Sequence, residues 1–190
     1  MWYKMIALIF MVAGILSAFP TYSPDGWRMP ISVVTEPTYN QHYSDVDAIY
    51  DSVFMVWIDG RQTPNYVGFK YSTDVGFTWS AEQTIPNPSG TGDAYDHLSI
   101  VLDKRVNSGW TYILWSSYNP ATARYSLNFS RSSNRGQTWV SSVLWTDLIV
   151  EPAGSICVGP DGVIRIAWFY GRRHPDFSSV LYQYSVDNGA

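Results

Sequence analysis

One short pattern, S-x-D-x-G-x-T-W, constrains the fold of this chain more than any other feature. It is complete at residues 72–79 and returns at 132–139 with Asn in place of Asp. A further copy begins at Ser185, and residues 23–27 (SPDGW) look like a shortened one. Asp and Asn accept backbone N–H groups in tight turns, and Gly supplies the positive φ that such turns require. Copies spaced about 50 to 60 residues apart predict successive, similar structural units.

The residues around the pattern repeat as well. Strand-like runs ending in Trp57, Trp115 and Trp168 precede the successive copies. After residue 20, β-branched and aromatic runs alternate with Gly, Pro, Asn and Asp clusters, and no segment has helical periodicity. Each unit therefore reads as a four-stranded antiparallel sheet with the pattern as the turn between its third and fourth strands. In the middle unit the strands are expected at about 98–103, 110–116, 124–131 and 138–145.

Composition supports a packed β-protein and excludes some function classes. Hydrophobic residues make up 46% and charged residues 15%, so the chain has enough apolar surface to form a core. The 16% aromatic content, 14 Gly and 11 Pro favour short strands and turns over long helices. The net charge is −4 and no basic run occurs, so no binding to nucleic acid is expected.

The repeated pattern resembles the Asp box, or BNR repeat, of sialidase-like β-propellers. The run Val56–Arg61, followed by residues 71–79, is similar to the W-x-D-x-R … Y-S-T-D-x-G-x-T-W blade of that family. The resemblance covers about residues 23–190 and implies an all-β, partial β-propeller of four-stranded antiparallel blades. In the family the Asp box is structural and lies away from the active face. The residues to which the resemblance gives this structural role are Ser72, Asp74, Gly76, Thr78, Trp79, Ser132, Asn134, Gly136, Thr138, Trp139, Ser185, Asp187 and Gly189.

We expect an incomplete propeller over residues 19–190, with a ring that is not closed. About three blades are present, whereas propellers have roughly four to eight. We interpret the sequence as a truncated reading frame; the alternative is a short chain that closes its ring by oligomerising. The expected parts are an outer strand at about 27–35, blades at about 43–86 and 96–146, and a truncated blade at about 153–190.

Residues 1–18 predict a signal peptide. Lys4 is the only charge there, and the apolar run Met5–Phe19 is short beside the roughly 20 residues of a membrane-spanning helix. Small residues at 17–18 suit cleavage, but Leu16 departs from the small-x-small rule, so an uncleaved anchor is the alternative. The protein is therefore expected to be secreted, periplasmic or on the cell surface. It would meet a membrane only if this segment is uncleaved.

By the resemblance, the functional face is formed by the loops between blades and by the loops joining the second and third strands of each blade. These loops are expected at about 36–44, 86–97, 147–153, 59–67, 116–123 and 170–178. Their polar residues are Glu36, His42, Asp45, Asp59, Arg61, Asp93, Asp96, His97, Glu151, Arg172, Arg173 and His174.

The catalytic candidates are Asp59, Arg61 and Arg28. A sialidase-like enzyme needs three arginines to clamp the substrate carboxylate, a general acid, and a Tyr nucleophile activated by Glu. Residues 27–30 (WRMP) are similar to an aromatic-Arg-aliphatic-Pro motif of the family, but Trp27 aligns with the Asp-box tryptophans and favours an exposed outer-strand position for Arg28. Arg61 borders the pocket by resemblance. Because its loop carries no carboxylate to act as the acid, a local salt bridge between Asp59 and Arg61 is the favoured role.

Other chemical signals are weaker. Cys157 lies between Ile156 and Val158 and is predicted to be a small buried hydrophobe. The carboxylates of residues 45 and 47, and of 93 and 96, are candidate Ca²⁺ ligands, but capping or turn roles are favoured because the oxygen-rich loop of a dedicated site is missing. No zinc spacing occurs among the histidines, and no metal or cofactor is expected.

Two further segments have competing interpretations. Residues 172–174 (RRH) are a candidate site for an anionic sugar, although a solvated loop is favoured. Residues 128–130 form a glycosylation sequon, but they fall within a predicted strand.

Together these features predict an exported Asp-box propeller module that is non-catalytic as given. It would bind or scaffold at the cell exterior, with a carbohydrate or a cell-surface protein as partner. The alternative is the amino-terminal part of an exo-sialidase or related glycoside hydrolase, in which the remaining arginines and the Tyr–Glu pair lie outside this sequence.

Overall fold

The computed structural model describes residues 31–34, 40–89, 93–94, 97–148, 151–171 and 178–190. The chain divides into two units, 1–36 and 37–190. In the first unit the described residues 31–34 form no strand, and the Ser32 hydroxyl donates to the Val34 carbonyl oxygen at 2.6 Å. The predicted outer strand at 27–35 is therefore wrong over its described part, because a local side-chain bond replaces ladder pairing there. The rest of that strand and the predicted signal peptide lie outside the described residues.

The described part of the second unit consists of strands and turns, arranged as three antiparallel sheets in chain order. Sheet 1 contains β1 (Gln41–Ile49), β2 (Ser52–Asp59), β3 (Tyr66–Ser72) and β4 (Gln83–Ile85). Sheet 2 contains β5 (Asp93–Ala94), β6 (Ser99–Leu102), β7 (Thr111–Asn119), β8 (Arg124–Ser132) and β9 (Val140–Leu148). Sheet 3 contains β10 (Gly154–Val158), β11 (Ile164–Gly171) and β12 (Ser178–Ser185).

Each sheet is a meander in which sequential strands pair, with one exception in sheet 2. In sheet 2, β5 and β6 both pair with β7, at different heights, so this sheet is four strands wide. The predicted fold class is confirmed: the chain is an all-β, partial propeller whose described sheets do not close a ring.

The sheets pack face to face through the side chains that alternate along their strands. One core lies between sheets 1 and 2, and a second lies between sheets 2 and 3. The first contains Phe54, Val56, Ile58, Val67, Phe69, Ile85, Ile100, Leu102, Ile113 and Trp115. The second contains Tyr112, Leu114, Leu127, Phe129, Ile156, Ile164, Ile166 and Trp168.

The repeated tryptophans show that the sheets follow one another in the same orientation. Trp115 of sheet 2 packs in the core that faces sheet 1, and Trp168 of sheet 3 packs in the core that faces sheet 2. Trp57 is buried on the corresponding face of sheet 1, opposite Val56 and Ile58. Each repeat therefore presents the same side to the sheet before it.

The turns of the S-x-D-x-G-x-T-W repeats, here called the box turns, are built by side-chain bonds to the backbone. In the first box the Ser72 hydroxyl accepts the Gly76 N–H at 2.8 Å and donates to Asp74 Oδ1 at 2.7 Å. The same carboxylate accepts the Thr78 N–H at 2.8 Å and the Thr78 hydroxyl at 2.7 Å. These bonds hold the Asp74 pKa at about 2, below its ordinary 3.8, with the Thr78 hydroxyl as the main cause.

The other boxes repeat this geometry. Asn134 accepts the Thr138 N–H at 2.9 Å through Oδ1, and its Nδ2 donates to the Thr138 hydroxyl at 2.9 Å. In the third box, Ser185 accepts the Gly189 N–H at 2.7 Å and donates to Asp187 at 2.6 Å. The uncharged Asn therefore keeps the turn. It donates a hydrogen bond to the threonine hydroxyl, whereas Asp74 accepts one from it.

The second and third boxes also contact the preceding sheet. The ring of Trp139 meets the ring of Phe69 edge-on at 5.1 Å between centroids. The Tyr112 hydroxyl donates to Asn188 Oδ1 at 3.1 Å, and Arg131 Nη1 donates to the Asn188 carbonyl oxygen at 3.1 Å. A box is thus a turn within its own sheet and a contact between sheets.

Cys157 is exposed, so its predicted burial is wrong. Alternation along β10 places Ile156 in the core against sheet 2, where it is 7% exposed, and turns Cys157 to the opposite face. That face also carries Tyr182 and Tyr184, whose side chains are more than half exposed. Apolar sequence neighbours indicated a buried strand, but they could not indicate which residues of the strand face the core.

Candidate functional site

The antiparallel order separates the predicted functional loops from the box turns. The loop at residues 60–65 joins β2 to β3, whereas the box turn at 73–79 follows the opposite end of β3. Sheet 2 repeats this separation, with residues 120–123 at one end and the second box at the other. Candidate binding residues therefore lie at the first of these ends.

Asp59 and Arg61 form the best-defined polar contact at this end. Asp59 is the last residue of β2 and is fully buried. Arg61 Nε lies 2.9 and 3.0 Å from its two carboxylate oxygens, and Nη2 lies 2.7 Å from Oδ2. The Arg61 backbone N–H also donates to Oδ1, and the Trp57 indole N–H donates to Oδ2 at 2.7 Å. The predicted salt bridge is present, and it closes the start of the loop.

Two side chains that sequence reasoning missed complete this group. Arg61 Nη2 also donates to Glu82, which lies immediately before β4. The Tyr66 hydroxyl donates to the same Glu82 oxygen at 3.1 Å. The Arg61 guanidinium carbon lies 6.0 Å from the centre of the Tyr66 ring. Glu82 is far from Arg61 in sequence, and only the pairing of β3 with β4 brings it near.

A glycine makes room for this arrangement. The Trp57 indole lies over Gly68, where an added Cβ would be 2.4 Å from the indole carbon Cε2. Gly68 is the cross-strand partner of Trp57, just as Tyr66 is the partner of Asp59. Because Gly68 has no side chain, the indole can lie flat on β3 and aim its N–H at the buried carboxylate.

The electrostatics of the group favour a structural role. Burial opposes ionisation of Asp59, but hydrogen bonds from Arg61 and Trp57 outweigh it and hold the Asp59 pKa below its usual range. The bond to Asp59 likewise raises the pKa of Arg61. Burial and the Glu82 charge raise the pKa of Tyr66 to about 12. A nucleophilic tyrosine must lose its proton, and this environment makes that loss harder.

A second polar contact bridges sheets 2 and 3. Glu151 Oε1 accepts the Ser116 hydroxyl at 3.3 Å and lies 3.6 Å from His97 Nε2. Ser116 is buried in β7, whereas the His97 side chain is 43% exposed. Glu151 precedes β10, so the contact ties the entry of sheet 3 to the centre of sheet 2.

Asp45 and Asp47 bond to the neighbouring sheet. Asp45 Oδ2 accepts the Ile100 N–H and Asp47 Oδ2 accepts the Leu102 N–H, both at 2.9 Å. The other Asp47 oxygen pairs with Lys104 at 2.7 Å. The two carboxylates on β1 therefore satisfy backbone donors of β6. Both carboxylates are therefore occupied by contacts between sheets 1 and 2.

The remaining predicted residues are not brought together. His42 stacks edge-on against Tyr43, with ring centroids 4.9 Å apart. Asn128 is fully buried in β8, so the sequon at 128–130 cannot accept a glycan in the folded protein. Only the backbone of Asp93 is described. Arg28, Glu36, Asp96, Arg172, Arg173 and His174 lie outside the described residues.

The described residues contain neither a cluster of metal ligands nor a membrane-spanning helix. No group of three or more His, Cys, Asp or Glu residues there is arranged to hold a metal ion. No helix there is long and apolar enough to cross a membrane.

The fold is similar to that of two solved structures, at low sequence identity. An endo-arabinase from Bacteroides thetaiotaomicron aligns with 86% of this chain at 12% identity and a TM-score of 0.44. Trypanosoma rangeli sialidase, solved in complex with sialic acid, aligns with 90% of this chain at 13% identity and a TM-score of 0.47. The chain spans 62% of the arabinase and 31% of the sialidase. No family model matches the sequence, and no curated protein matches it significantly.

Proposed function

We propose that this chain is an exported, sialidase-like Asp-box propeller module that binds carbohydrate at the cell exterior without cleaving it. The observation that carries the proposal is the engagement of Arg61. Its Nε and Nη2 groups are already bonded to Asp59 and Glu82, so the fork that would clamp a substrate carboxylate is occupied. With one cation and two carboxylates, the group is also net negative and would repel an anionic substrate.

The raised pKa of Tyr66, about 12, supports the same conclusion. Deprotonating this hydroxyl near neutral pH would cost roughly 1.4 kcal/mol for each pH unit below its pKa. Tyr66 and Arg61 donate to the same Glu82 oxygen, so this carboxylate belongs to the same group. The group therefore supports the loop and supplies no nucleophile.

Carbohydrate as the ligand class rests on the Asp-box resemblance and on the polar side chains at the loop end of the sheets. The experiment is a binding screen of the full chain against immobilised neutral and acidic glycans. We expect saturable binding to at least one class of glycan. Absence of binding to every glycan on the panel would overturn the proposal.

Export rests on the apolar run Met5–Phe19. Expression of the full-length gene with a carboxyl-terminal tag, followed by mass measurement of the extracytoplasmic fraction, tests it. A product lacking residues 1–18 is expected. A full-length product confined to the cytoplasm would contradict export.

One observation favours the alternative, the amino-terminal part of a glycoside hydrolase. Tyr66 and Glu82 are hydrogen bonded to each other beside Arg61. A sialidase-like mechanism uses these three side-chain types. A fluorogenic sialoside assay with the full chain and with Tyr66→Phe separates the two functions. The binding module predicts no turnover by either protein. Saturable turnover that Tyr66→Phe abolishes would favour the enzyme.

A further inference from the structure

Sheets 1 and 2 fill one equivalent position differently. Trp57 and Trp115 are equivalent, so Asp59, two residues after the first, corresponds to Ser117, two residues after the second. In sheet 1 the position holds a buried carboxylate that is covered by an arginine. In sheet 2 it holds a serine hydroxyl. The Asp59–Arg61 ion pair occupies this space in sheet 1. Different groups occupy the equivalent space in sheet 2.

The neighbouring positions enlarge this difference. The cross-strand partner at this level is Tyr66 in sheet 1 and Ser126 in sheet 2. Two residues beyond the acidic position, Arg61 corresponds to Asn119. An acidic, an aromatic and a cationic side chain are thus replaced by two serines and an asparagine. A cavity of about 310 Å³ opens there, lined by Ser89, Ser117, Asn119, Thr122, Arg124, Ser126, Val143 and Thr146.

Hydrogen bonds hold the wall of this cavity in place. Asn128 Nδ2 donates to Ser117 Oγ at 2.8 Å, and Ser117 Oγ lies 3.1 Å from Ser89 Oγ. The Ser89 hydroxyl donates to Asn87 Oδ1 at 2.6 Å, so the bond between the serines must be donated by Ser117. The chain of bonds runs in one direction from sheet 2 to the loop after sheet 1. Its hydroxyl oxygens keep acceptor capacity for a ligand.

Arg124 gives the cavity a charge. Its side chain is half-buried, and no carboxylate whose side chain the structure describes forms an ion pair with it. The equivalent region of sheet 1 has its cation neutralised by Asp59 and Glu82. Beside the cavity wall, the fully buried Asn128 Oδ1 has no partner among the described residues. Such an orphaned acceptor in a polar setting indicates that a donor group belongs nearby.

We propose that this cavity on sheet 2, beside the loop that follows sheet 1 and here called the serine cavity, binds a monosaccharide that carries one oxyanion. The serine and threonine oxygens can accept hydrogen bonds from sugar hydroxyls, and Arg124 pairs with the carboxylate or phosphate. A cavity of about 300 Å³ is at the small end of ligand sites and suits a single sugar ring. The inference rests on the proposed carbohydrate binding and gives it a location and a charge preference.

Titration calorimetry of the full chain with sodium glucuronate, glucose 6-phosphate and glucose tests the proposal. We expect at least one of the two anionic sugars to bind about tenfold or more tightly than glucose, because one arginine–oxyanion pair supplies that difference. Arg124→Gln should abolish the preference. Arg135→Gln, the same substitution in the second Asp-box turn, is the matched control and should leave it unchanged. Equal binding of all three sugars, or a preference that survives Arg124→Gln, would overturn the assignment.

A filling variant gives an independent readout. Ser117→Asp combined with Asn119→Arg copies the sheet 1 ion pair into sheet 2 and should abolish binding of the anionic sugar. Arg124→Gln alone keeps the test valid if the double variant does not fold. If the wild-type protein and Arg124→Gln bind the glycan panel equally well, the serine cavity is overturned and the proposed function stands. Binding to no glycan and no monosaccharide would overturn both.

Discussion

Gly136 lies directly against the ring of Phe69. A Cβ added to Gly136 would be 2.3 Å from Phe69 Cζ, closer than atoms of a side chain can approach. The third box turn repeats the relationship, because a Cβ on Gly189 would be 2.5 Å from Phe129 Cε1. Phe69 and Phe129 occupy equivalent positions on β3 and β8. The box glycine is therefore needed for the contact between sheets as well as for its own positive φ.

Gly136→Ala should destabilise the protein much more than Gly76→Ala. The two glycines have φ values of 82° and 84°, so both substitutions incur the same backbone cost of about 1 kcal/mol. At Gly76 the nearest atom is 3.6 Å from the added Cβ, whereas at Gly136 overpacking adds about 1 to 3 kcal/mol. Urea unfolding of both variants measures the difference. Equal losses would show that backbone conformation alone explains the need for glycine in the repeated turns.

Val75→Asn should stabilise the protein. Val75 has φ 58°, a left-handed conformation that is costly for a β-branched residue and well tolerated by Asn. The third box already has Asn188 at the equivalent position, with φ 60°. We expect a gain of about 0.5 to 1 kcal/mol in the free energy of unfolding.

The matched control for this substitution is Val186→Asn. Val186 is also exposed, at 75%, and is not among the residues with positive φ. Thermal melts of both variants should show a higher melting temperature only for Val75→Asn. A similar rise in both would show that replacing an exposed apolar side chain, and not relief of the left-handed backbone at Val75, causes the gain.

Asp74 should make the first box sensitive to acid. Its folded pKa of about 2 lies below the ordinary 3.8, so its contribution to stability is complete above 3.8 and is lost as the pH falls towards 2. Asp74→Asn should lower the melting temperature at pH 7 and have little effect near pH 2. The reciprocal Asn134→Asp should add a contribution that disappears over the same range. If the Asp74→Asn deficit were the same at pH 7 and pH 2, the carboxylate charge would have no part in the turn.

Asp47→Ala should weaken the contact between sheets 1 and 2. The substitution leaves the N–H of buried Leu102 without its acceptor, which costs about 1 to 3 kcal/mol. Asp47→Asn retains a side-chain oxygen and should lose less. Asp51→Ala, in the exposed turn after β1, is the control. Amide hydrogen exchange of Leu102 should accelerate in Asp47→Ala and remain slow in the control; unchanged exchange in Asp47→Ala would contradict the assigned bond.

The sequence was informative where the interactions are local. The bonds among Ser72, Asp74 and Thr78 lie within a few residues, so the residue types and their spacing indicated the turn. The salt bridge between Asp59 and Arg61 followed for the same reason. The positive φ of the residue before each box glycine was missed, since a β-branched residue such as Val75 gives no sign of it.

Contacts between sheets were beyond the reach of sequence patterns. Glu82 approaches Arg61 only because β3 and β4 pair, and Asp47 reaches Leu102 only because two sheets meet face to face. Cys157 was misjudged because alternation along β10 has two possible phases, and the apolar residues on both sides did not choose between them. The serine cavity likewise depends on comparing equivalent positions of two sheets, which requires their register.

The central claim is that successive sheets stack through the glycine of the box turn and the aromatic residue of the preceding sheet. A double-mutant cycle of Gly136→Ala and Phe69→Leu in the full chain tests it most directly. Because the smaller Leu side chain relieves the clash with the new Cβ, the double variant should lose less stability than the two single losses added together. We predict a coupling energy of about 1 kcal/mol or more, whereas additivity within about 0.5 kcal/mol would contradict the contact.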